Sequence, residues 1–142
     1  MKKLLTQTQI NLGVKGLSRR VEEEIKQSGN DLPPVFICVL RGGFMFFNDL
    51  VRNLPMDIEI DFIQAQSYNG RDNSDGVTIT KDIKTDLKGK QVYVVDDLVD
   101  TGATMKEILF YLEDYRPASI KILTAFHRRM SKIWVDDFAC QV

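Results

Sequence analysis

The sequence predicts one α/β domain in which a mostly parallel β-sheet is flanked by helices. Short apolar runs, typical of strands buried on both faces, alternate with segments whose apolar residues recur at helical spacing. A chain of 142 residues with 44% hydrophobic residues can bury one such core and is too short for two ordinary domains. We therefore expect residues 1–142 to form a single domain of alternating strands and helices.

The same patterns place the individual elements along the chain. An N-terminal amphipathic helix is predicted by Val14, Leu17, Val21 and Ile25 and ends near residues 28–30. Buried strands are predicted at 35–40, 56–66, 77–80, 91–95 and 120–126. Two further helices are marked by the apolar sets Phe47, Leu50, Val51, Leu54 and Met105, Ile108, Leu109, Leu112. The polar, turn-rich segment 67–76 predicts a mobile loop.

Composition excludes several classes of function. The formal net charge of −1, from 19 basic and 20 acidic side chains, provides no summed positive field for holding nucleic acid or anionic lipid. The sequence contains no apolar run of signal-peptide or membrane-spanning length. Cys38 and Cys140 lie far apart, which favours reduced, packed thiols over a disulfide framework. We expect a cytoplasmic protein that binds no membrane; the charge counts against nucleic acid, although a local basic patch stays open.

The densest chemical signal follows the strand at 91–95. This strand delivers two adjacent acids, Asp96 and Asp97, to the carboxyl end of the sheet, where open parallel sheets bind ligands. The turn 100–104 then enters a helix with a glycine and two hydroxyls, and free N–H groups at such a helix start favour phosphate. Carboxylates beside a phosphate need sugar hydroxyls or hydrated Mg²⁺ as partners. The implied ligand is a sugar phosphate, and the spacing and lysine of a P-loop are absent.

The segment 92–105 resembles the ribose-phosphate binding signature of the type I phosphoribosyltransferases, acid for acid and through its Asp-Thr-Gly-x-Thr turn. The segments 39–44, 67–68 and 82–90 are similar, in the same order, to the hypoxanthine-guanine branch. The resemblance covers about 34–132 and implies the Rossmann-like sheet of that family, with a mobile active-site loop. It also implies transfer of the phosphoribosyl group of 5-phosphoribosyl diphosphate to a purine base such as hypoxanthine or guanine, releasing pyrophosphate, in purine salvage.

The resemblance further implies roles for individual residues. Asp96 and Asp97 would hold the ribose hydroxyls, directly or through water on a bound Mg²⁺. Asp100 would act as general acid/base near the purine N7, a role that requires partial shielding from water. The 5′-phosphate would be held by Thr101, Gly102, Ala103 and Thr104. Pyrophosphate would be held by Leu40, Arg41 and Gly42, with a cis peptide between residues 40 and 41, and by Lys132 nearby. Ser67 and Tyr68 would open the mobile loop, and Arg128 would lie near the base.

The sequence departs from the resembling branch near its C-terminal end. Arg128 stands where the branch has a lysine that touches the exocyclic oxygen of the purine, which leaves the base preference open. The branch continues beyond the position of Val142 into a segment with a base-stacking aromatic and a metal-binding acid, so we expect a reduced base-binding hood or one completed by a partner subunit. Trp134 or Phe138 could stack on the base, although a core or interface position is favoured for both. A structural or surface role is favoured for His127.

Two other classes of function remain open at this point. A protein of the same fold could bind 5-phosphoribosyl diphosphate as a signal, or RNA on a basic face, without efficient catalysis. A catalytically reduced scaffold is the third possibility, although the intact acids and phosphate turn count against it. We expect self-association into a homodimer or homotetramer.

Overall fold

A six-stranded sheet forms the centre of the computed structural model, which describes residues 5–67 and 77–142. Its helices are α1 (Gln7–Gln27), α2 (Phe44–Arg52) and α3 (Ala103–Glu113). Its strands are β1 (Val35–Val39), β2 (Glu59–Ser67), β3 (Val77–Lys81), β4 (Gln91–Asp96), β5 (Ser119–His127) and β6 (Asp137–Gln141), in the spatial order β3-β2-β1-β4-β5-β6. Only the β2–β3 pair is antiparallel among the pairs of this sheet, so the predicted mostly parallel α/β fold is confirmed.

Helix α1 begins earlier than its apolar periodicity predicts, because a capping box fixes its start. Thr6 Oγ1 accepts a hydrogen bond from the Gln9 backbone, and the Gln9 side chain accepts one from the Thr6 backbone. The apolar stripe buries Val14 and Leu17 against β6 and α2, which confirms the predicted amphipathic helix. No helix in the described part of the chain combines the length and apolarity needed to cross a bilayer.

The central strands are buried on both faces and lie close to their predicted bounds. Every residue of β1 is buried, as are the first five of β4. One face of the sheet packs against α1 and α2, and the other against α3. Strand β2 begins at Glu59 and not at 56, because its pairing with β1 begins where β1 itself begins, at Val35.

The chain between β5 and the end of β6 differs most from expectation. Strand β6 was not predicted, because its five residues show no continuous apolar run; it forms by parallel pairing with β5. Of the two positions favoured for Trp134, core or interface, the core position is wrong, since its side chain is 75% exposed, and the interface position stays a prediction. Its indole N–H lies 3.4 Å from Asp136 Oδ1 at the surface. Phe138 is half-buried and stacks on His127 with 4.9 Å between ring centroids.

Candidate functional site

The turns after β1 and β4 meet at one edge of the sheet, because these two strands are parallel neighbours. Between them lies a cavity of about 290 Å³. The cavity is lined by Val39, Leu40, Gly42, Ala65, Asp96, Leu98, Val99, Asp100, Thr101, Gly102, Thr104 and Met105. Seven of the residues implied by the resemblance are among them, so residues from two distant stretches of the sequence share one cavity.

The turn after β1 packs closely on the acids at the end of β4. Its peptide bond between Leu40 and Arg41 is cis, as the resemblance implies. A Cβ built on Gly42 would lie 3.1 Å from Asp97 Oδ2, and one built on Gly43 would lie 3.0 Å from the carbonyl oxygens of Val39 and Val95. Glycine at position 43 lets the two turns approach this closely, because a Cβ there would meet backbone, whereas a Cβ at Gly42 would press on the Asp97 side chain.

The carboxylates of Asp96 and Asp97 are fixed by the backbone beside this turn. The Asp97 N–H donates to Asp96 Oδ1 at 2.8 Å, and the Leu98 N–H donates to Asp97 Oδ1 at 2.7 Å. Burial, together with the neighbouring Asp97 carboxyl, raises the pKa of Asp96 to about 7. The carboxyl pair therefore holds a proton readily near neutral pH, and an added cation would compete with that proton for the carboxylate oxygens.

The same oxygen donors fit a divalent metal ion of the hard type. Magnesium binds through one or two carboxylates and completes its shell with water and substrate phosphates. The described ranges contain no group of three or more His, Cys, Asp or Glu side chains arranged for a metal, so a metal held by protein alone does not fit. Asp96 and Asp97 suit an ion that arrives with a phosphorylated substrate.

The turn into α3 places backbone N–H groups at the start of a helix. Gly102 has a φ of 87°, a left-handed conformation that glycine adopts without strain, and as the N-cap residue it makes no side-chain hydrogen bond to the helix. The Thr101 hydroxyl accepts a hydrogen bond from the Ala103 N–H at 3.3 Å. The first turn of an eleven-residue helix thus faces the cavity with its positive dipole end, an arrangement suited to phosphate.

Asp100 is paired with Arg128 at the cavity. Arg128 Nη1 donates to Asp100 Oδ1 at 3.0 Å, and the two side chains are 56% and 74% exposed. Within the described residues the expected shielding of Asp100 is not found, since its side chain is 74% exposed. Both residues were expected near the base, and their ion pair was not expected.

The remaining implied residues are placed less closely. Arg41, Ala103 and Lys132 are exposed and do not line the cavity. Ser67 ends β2, whereas Tyr68 and the rest of the predicted mobile loop, 68–76, lie outside the described residues. Ala65 lines the cavity and was missed; the order of parallel strands is the signal that points to it, since β2 is the other neighbour of β1.

Comparisons with known proteins agree with this site. A family model described as phosphoribosyl transferase domain matches residues 2–141. A hypoxanthine-guanine-xanthine phosphoribosyltransferase from Tritrichomonas foetus is 39% identical over 114 residues, which cover 80% of this chain and 62% of that protein. A hypoxanthine phosphoribosyltransferase from Escherichia coli K12 is 35% identical over 122 residues, covering 85% and 67%. The chain thus spans about two thirds of the length of these relatives.

Solved structures show the same fold. A hypoxanthine-guanine phosphoribosyltransferase from Bacillus anthracis, with a HEPES molecule in its active site, superposes with a TM-score of 0.88 at 29% identity, over 100% of this chain and 84% of that one. A hypoxanthine phosphoribosyltransferase from Trypanosoma cruzi superposes with a TM-score of 0.88 at 29% identity, over 99% and 77%. This chain therefore shares the fold of these enzymes over nearly its whole length.

Proposed function

This chain belongs to the phosphoribosyl transferase domain family, and we propose that it transfers the phosphoribosyl group of 5-phosphoribosyl diphosphate to a purine base and releases pyrophosphate. The observation that carries the proposal is the meeting, at one cavity, of a helix N-terminus, the carboxylate of Asp96 and the glycine turn that packs on the neighbouring Asp97. These groups match the 5′-phosphate, the ribose hydroxyls and the pyrophosphate of that substrate. Residues 1–142 would act as one domain in this reaction.

Binding of the sugar phosphate would use backbone groups and acids together. The N–H groups of the turn 101–104 would hold the 5′-phosphate at the positive end of α3. Asp96 and Asp97 would accept hydrogen bonds from the ribose hydroxyls, directly or through metal-bound water. Gly42, which touches Asp97, would bring the backbone of residues 40–42 to the pyrophosphate, with Arg41 and Lys132 adding positive charge.

Magnesium is the proposed cofactor, and when bound it would supply positive charge against the pyrophosphate leaving group. Asp96 would take part as a carboxylate, so it would release its proton on binding. The C1′–oxygen bond breaks with its electron pair leaving on pyrophosphate, and N9 of the base forms the new bond to C1′. The proton that leaves the base at N7 would pass to Asp100.

The Asp100–Arg128 pair supports a preference for a 6-oxopurine. A guanidinium only donates hydrogen bonds, so Arg128 can pair with the carbonyl oxygen of hypoxanthine or guanine and has no acceptor for the amino group of adenine. Asp100, which already contacts Arg128, would then lie next to the N7 edge of the same ring. The proposed pathway is purine salvage.

A regulatory protein that binds 5-phosphoribosyl diphosphate without catalysis is the alternative. The relatives of known name favour an enzyme, since each is named as a phosphoribosyltransferase. The following assay separates the two. The protein is incubated with 5-phosphoribosyl diphosphate, Mg²⁺ and, in turn, hypoxanthine, guanine, xanthine, adenine, uracil and orotate, and nucleotide and pyrophosphate are measured.

We expect turnover with a 6-oxopurine, and we expect Asp100→Asn to lower kcat by about 10²–10⁴-fold, the range for loss of a general acid/base. Asp114→Asn, which alters an exposed acid at the other end of α3, is the matched control and should keep full activity. Binding of 5-phosphoribosyl diphosphate without turnover would favour the regulator. No binding would contradict both.

Self-association and a cytoplasmic location complete the proposal. Phe44 and Met45, next to the turn at 40–43, expose apolar side chains at 52% and 73%, which supports an interface there. Two free, buried cysteines support a reducing compartment. Sedimentation should show a dimer or tetramer that Met45→Glu weakens, and a concentration-independent monomer would contradict the interface.

A further inference from the structure

One short segment contacts both the acid and the phosphate turn of the candidate site. Residues 128–133 follow β5, and we refer to them as the 128–133 segment. At its start, Arg128 pairs with Asp100 at 3.0 Å. At its end, Ile133 packs on the turn, since a Cβ built on Gly102 would lie 3.4 Å from Ile133 Cδ1. The position of this segment therefore sets the position of Arg128 relative to Asp100.

His127 lies at the base of this segment and contacts its far end. The imidazole Nε2 is 3.4 Å from the carbonyl oxygen of Ile133, and the ring stacks on Phe138 with an interplanar angle of 16°. The backbone carbonyl of His127 accepts a hydrogen bond from the Val142 N–H at 2.9 Å. His127 directly precedes Arg128, its ring contacts Ile133, and β6 holds the ring on one side through Phe138. The ring thus links the two ends of the 128–133 segment.

The ring nitrogens show that this histidine is not optimised for packing alone. The carbonyl of Ile133 can only accept, so the hydrogen bond needs the proton on Nε2 and leaves Nδ1 as a bare acceptor. Nδ1 is buried and has no partner among the residues that the structure describes. An unpaired buried acceptor costs folding free energy, and a phenylalanine could stack on Phe138 without that cost. His127 therefore contributes an interaction besides packing, namely the hydrogen bond that its Nε2–H donates to the carbonyl oxygen of Ile133.

We propose that His127 is a positioning residue, which holds the 128–133 segment so that Arg128 remains on Asp100. This inference rests on the proposed function for its kinetic consequence. The proposal assigns no contact between His127 and the substrate. The hydrogen bond between His127 and Ile133 is a property of the free protein and can be tested without turnover.

Two substitutions separate the donor from the ring. His127→Phe keeps an aromatic ring against Phe138 and removes the donor, whereas His127→Gln keeps a donor of similar reach and loses the ring. We expect His127→Phe to lower kcat/KM for the purine base by about three- to tenfold, the worth of one hydrogen bond, and His127→Gln to stay within about twofold of the parent. Arg129→Gln changes the exposed cation two residues along and should leave kcat/KM unchanged.

Coupling to Arg128 distinguishes positioning from a general structural role. If His127 acts through Arg128, adding His127→Phe to Arg128→Ala should lower kcat/KM by less than about twofold. A general loss of stability would lower it by the same factor in both backgrounds. Full additivity, or His127→Phe with parental kcat/KM, would overturn the proposal.

Hydrogen exchange tests the contact independently of catalysis. The amides of Arg129, Ser131 and Ile133 are hydrogen-bonded in the described structure and report on the segment. His127→Phe should speed their exchange by about three- to tenfold and leave the amides of α1 unchanged. Unchanged exchange would overturn the proposal even in an active enzyme. Faster exchange in a protein that transfers to no base would uphold the contact while contradicting the proposed function.

Discussion

Gly42 lies directly against the carboxylate of Asp97, and a Cβ on the glycine would be 3.1 Å from Oδ2 and 3.2 Å from Oδ1. The turn proposed to bind pyrophosphate and the acid proposed to bind ribose are therefore in contact before any ligand arrives. In Gly42→Ala the added methyl group would press on the Asp97 carboxylate, which would have to shift by a few tenths of an ångström. We expect kcat/KM for 5-phosphoribosyl diphosphate to fall by about ten- to hundredfold, as misplacement of binding groups does.

The control for Gly42→Ala is its thermal stability. Gly42 is exposed, and the group it would meet is a side chain, so we expect the melting temperature to shift by only about 1–2 °C, the effect of about 0.5 kcal/mol. If Gly42→Ala kept the kcat/KM of the parent, Asp97 could move without loss of activity, and its contact with Gly42 would not matter for substrate binding.

Asp96, Asp97 and Gly102 could be found from the sequence because they follow one strand within a few residues. Their spacing along the chain carries the signal; in the structure Asp96 and Gly102 line one cavity, and Asp97 lies beside the turn after β1. The Asp100–Arg128 pair could not be found in this way, since 28 residues separate its members and only the pairing of β4 with β5 brings them together.

Strand β6 could not be predicted from the sequence for a related reason. Its residues are half-buried at a sheet edge and carry little hydrophobic periodicity. The strand is defined by its backbone pairing with β5. Just before it, the Ile122 N–H donates a hydrogen bond to Asp136 Oδ2 at 2.7 Å. Such partners become visible only when the order of the strands is known.

The close packing of α1 on β6 predicts opposite effects for two glycines on one helix. A Cβ on Gly13 would lie 2.5 Å from the Ala139 carbonyl oxygen, which is backbone and cannot rotate away. A Cβ on Gly16 would meet only the flexible end of Arg20 at 3.4 Å. We expect Gly13→Ala to lower the free energy of unfolding by about 1–3 kcal/mol through overpacking. Gly16→Ala should raise it by about 0.5–1 kcal/mol through helix propensity.

Chemical denaturation of both alanine variants measures these differences at the same pH and temperature. The pair is matched because both changes add one methyl group to the same helix. Equal effects of the two substitutions would contradict the close contact between α1 and β6.

The raised pKa of Asp96 predicts a pH dependence of stability. Its folded pKa of about 7 lies above the ordinary value of 3.8, so the folded state holds the proton more tightly than the unfolded state. The stability linked to this proton is fully present below about pH 4 and is lost as pH rises through 7. We expect Asp96→Asn, which cannot ionise, to be more stable than the parent at pH 8 by about 2–4 kcal/mol in the absence of ligand.

Urea denaturation at pH 5 and pH 8 checks this sign, and Asp114→Asn is the control for loss of an exposed carboxylate. The difference between the two pH values should shrink in Asp96→Asn and persist in Asp114→Asn. An unchanged difference in Asp96→Asn would mean that Asp96 is ionised in the free protein at neutral pH. Its stability gain should be accompanied by weaker binding of 5-phosphoribosyl diphosphate, because the carboxylate is then missing from the proposed ribose site.

Cys38 lies inside β1 beneath the same acids, and its thiol should be inert in the folded protein. Burial, with the nearby Asp96 charge, raises the pKa of Cys38 to about 12, and the side chain is fully buried. The thiolate is the reacting species, so at pH 8 both its low population and its burial oppose attack on a thiol reagent. In a Cys140→Ser background, we expect 5,5′-dithiobis(2-nitrobenzoate) to label Cys38 at least about 10³-fold more slowly in the folded protein than in denaturant. The rate should then follow global unfolding and fall when stability rises, for instance in Gly16→Ala. Rapid labelling of the native protein, insensitive to Gly16→Ala, would mean that β1 opens locally next to the acids of the candidate site.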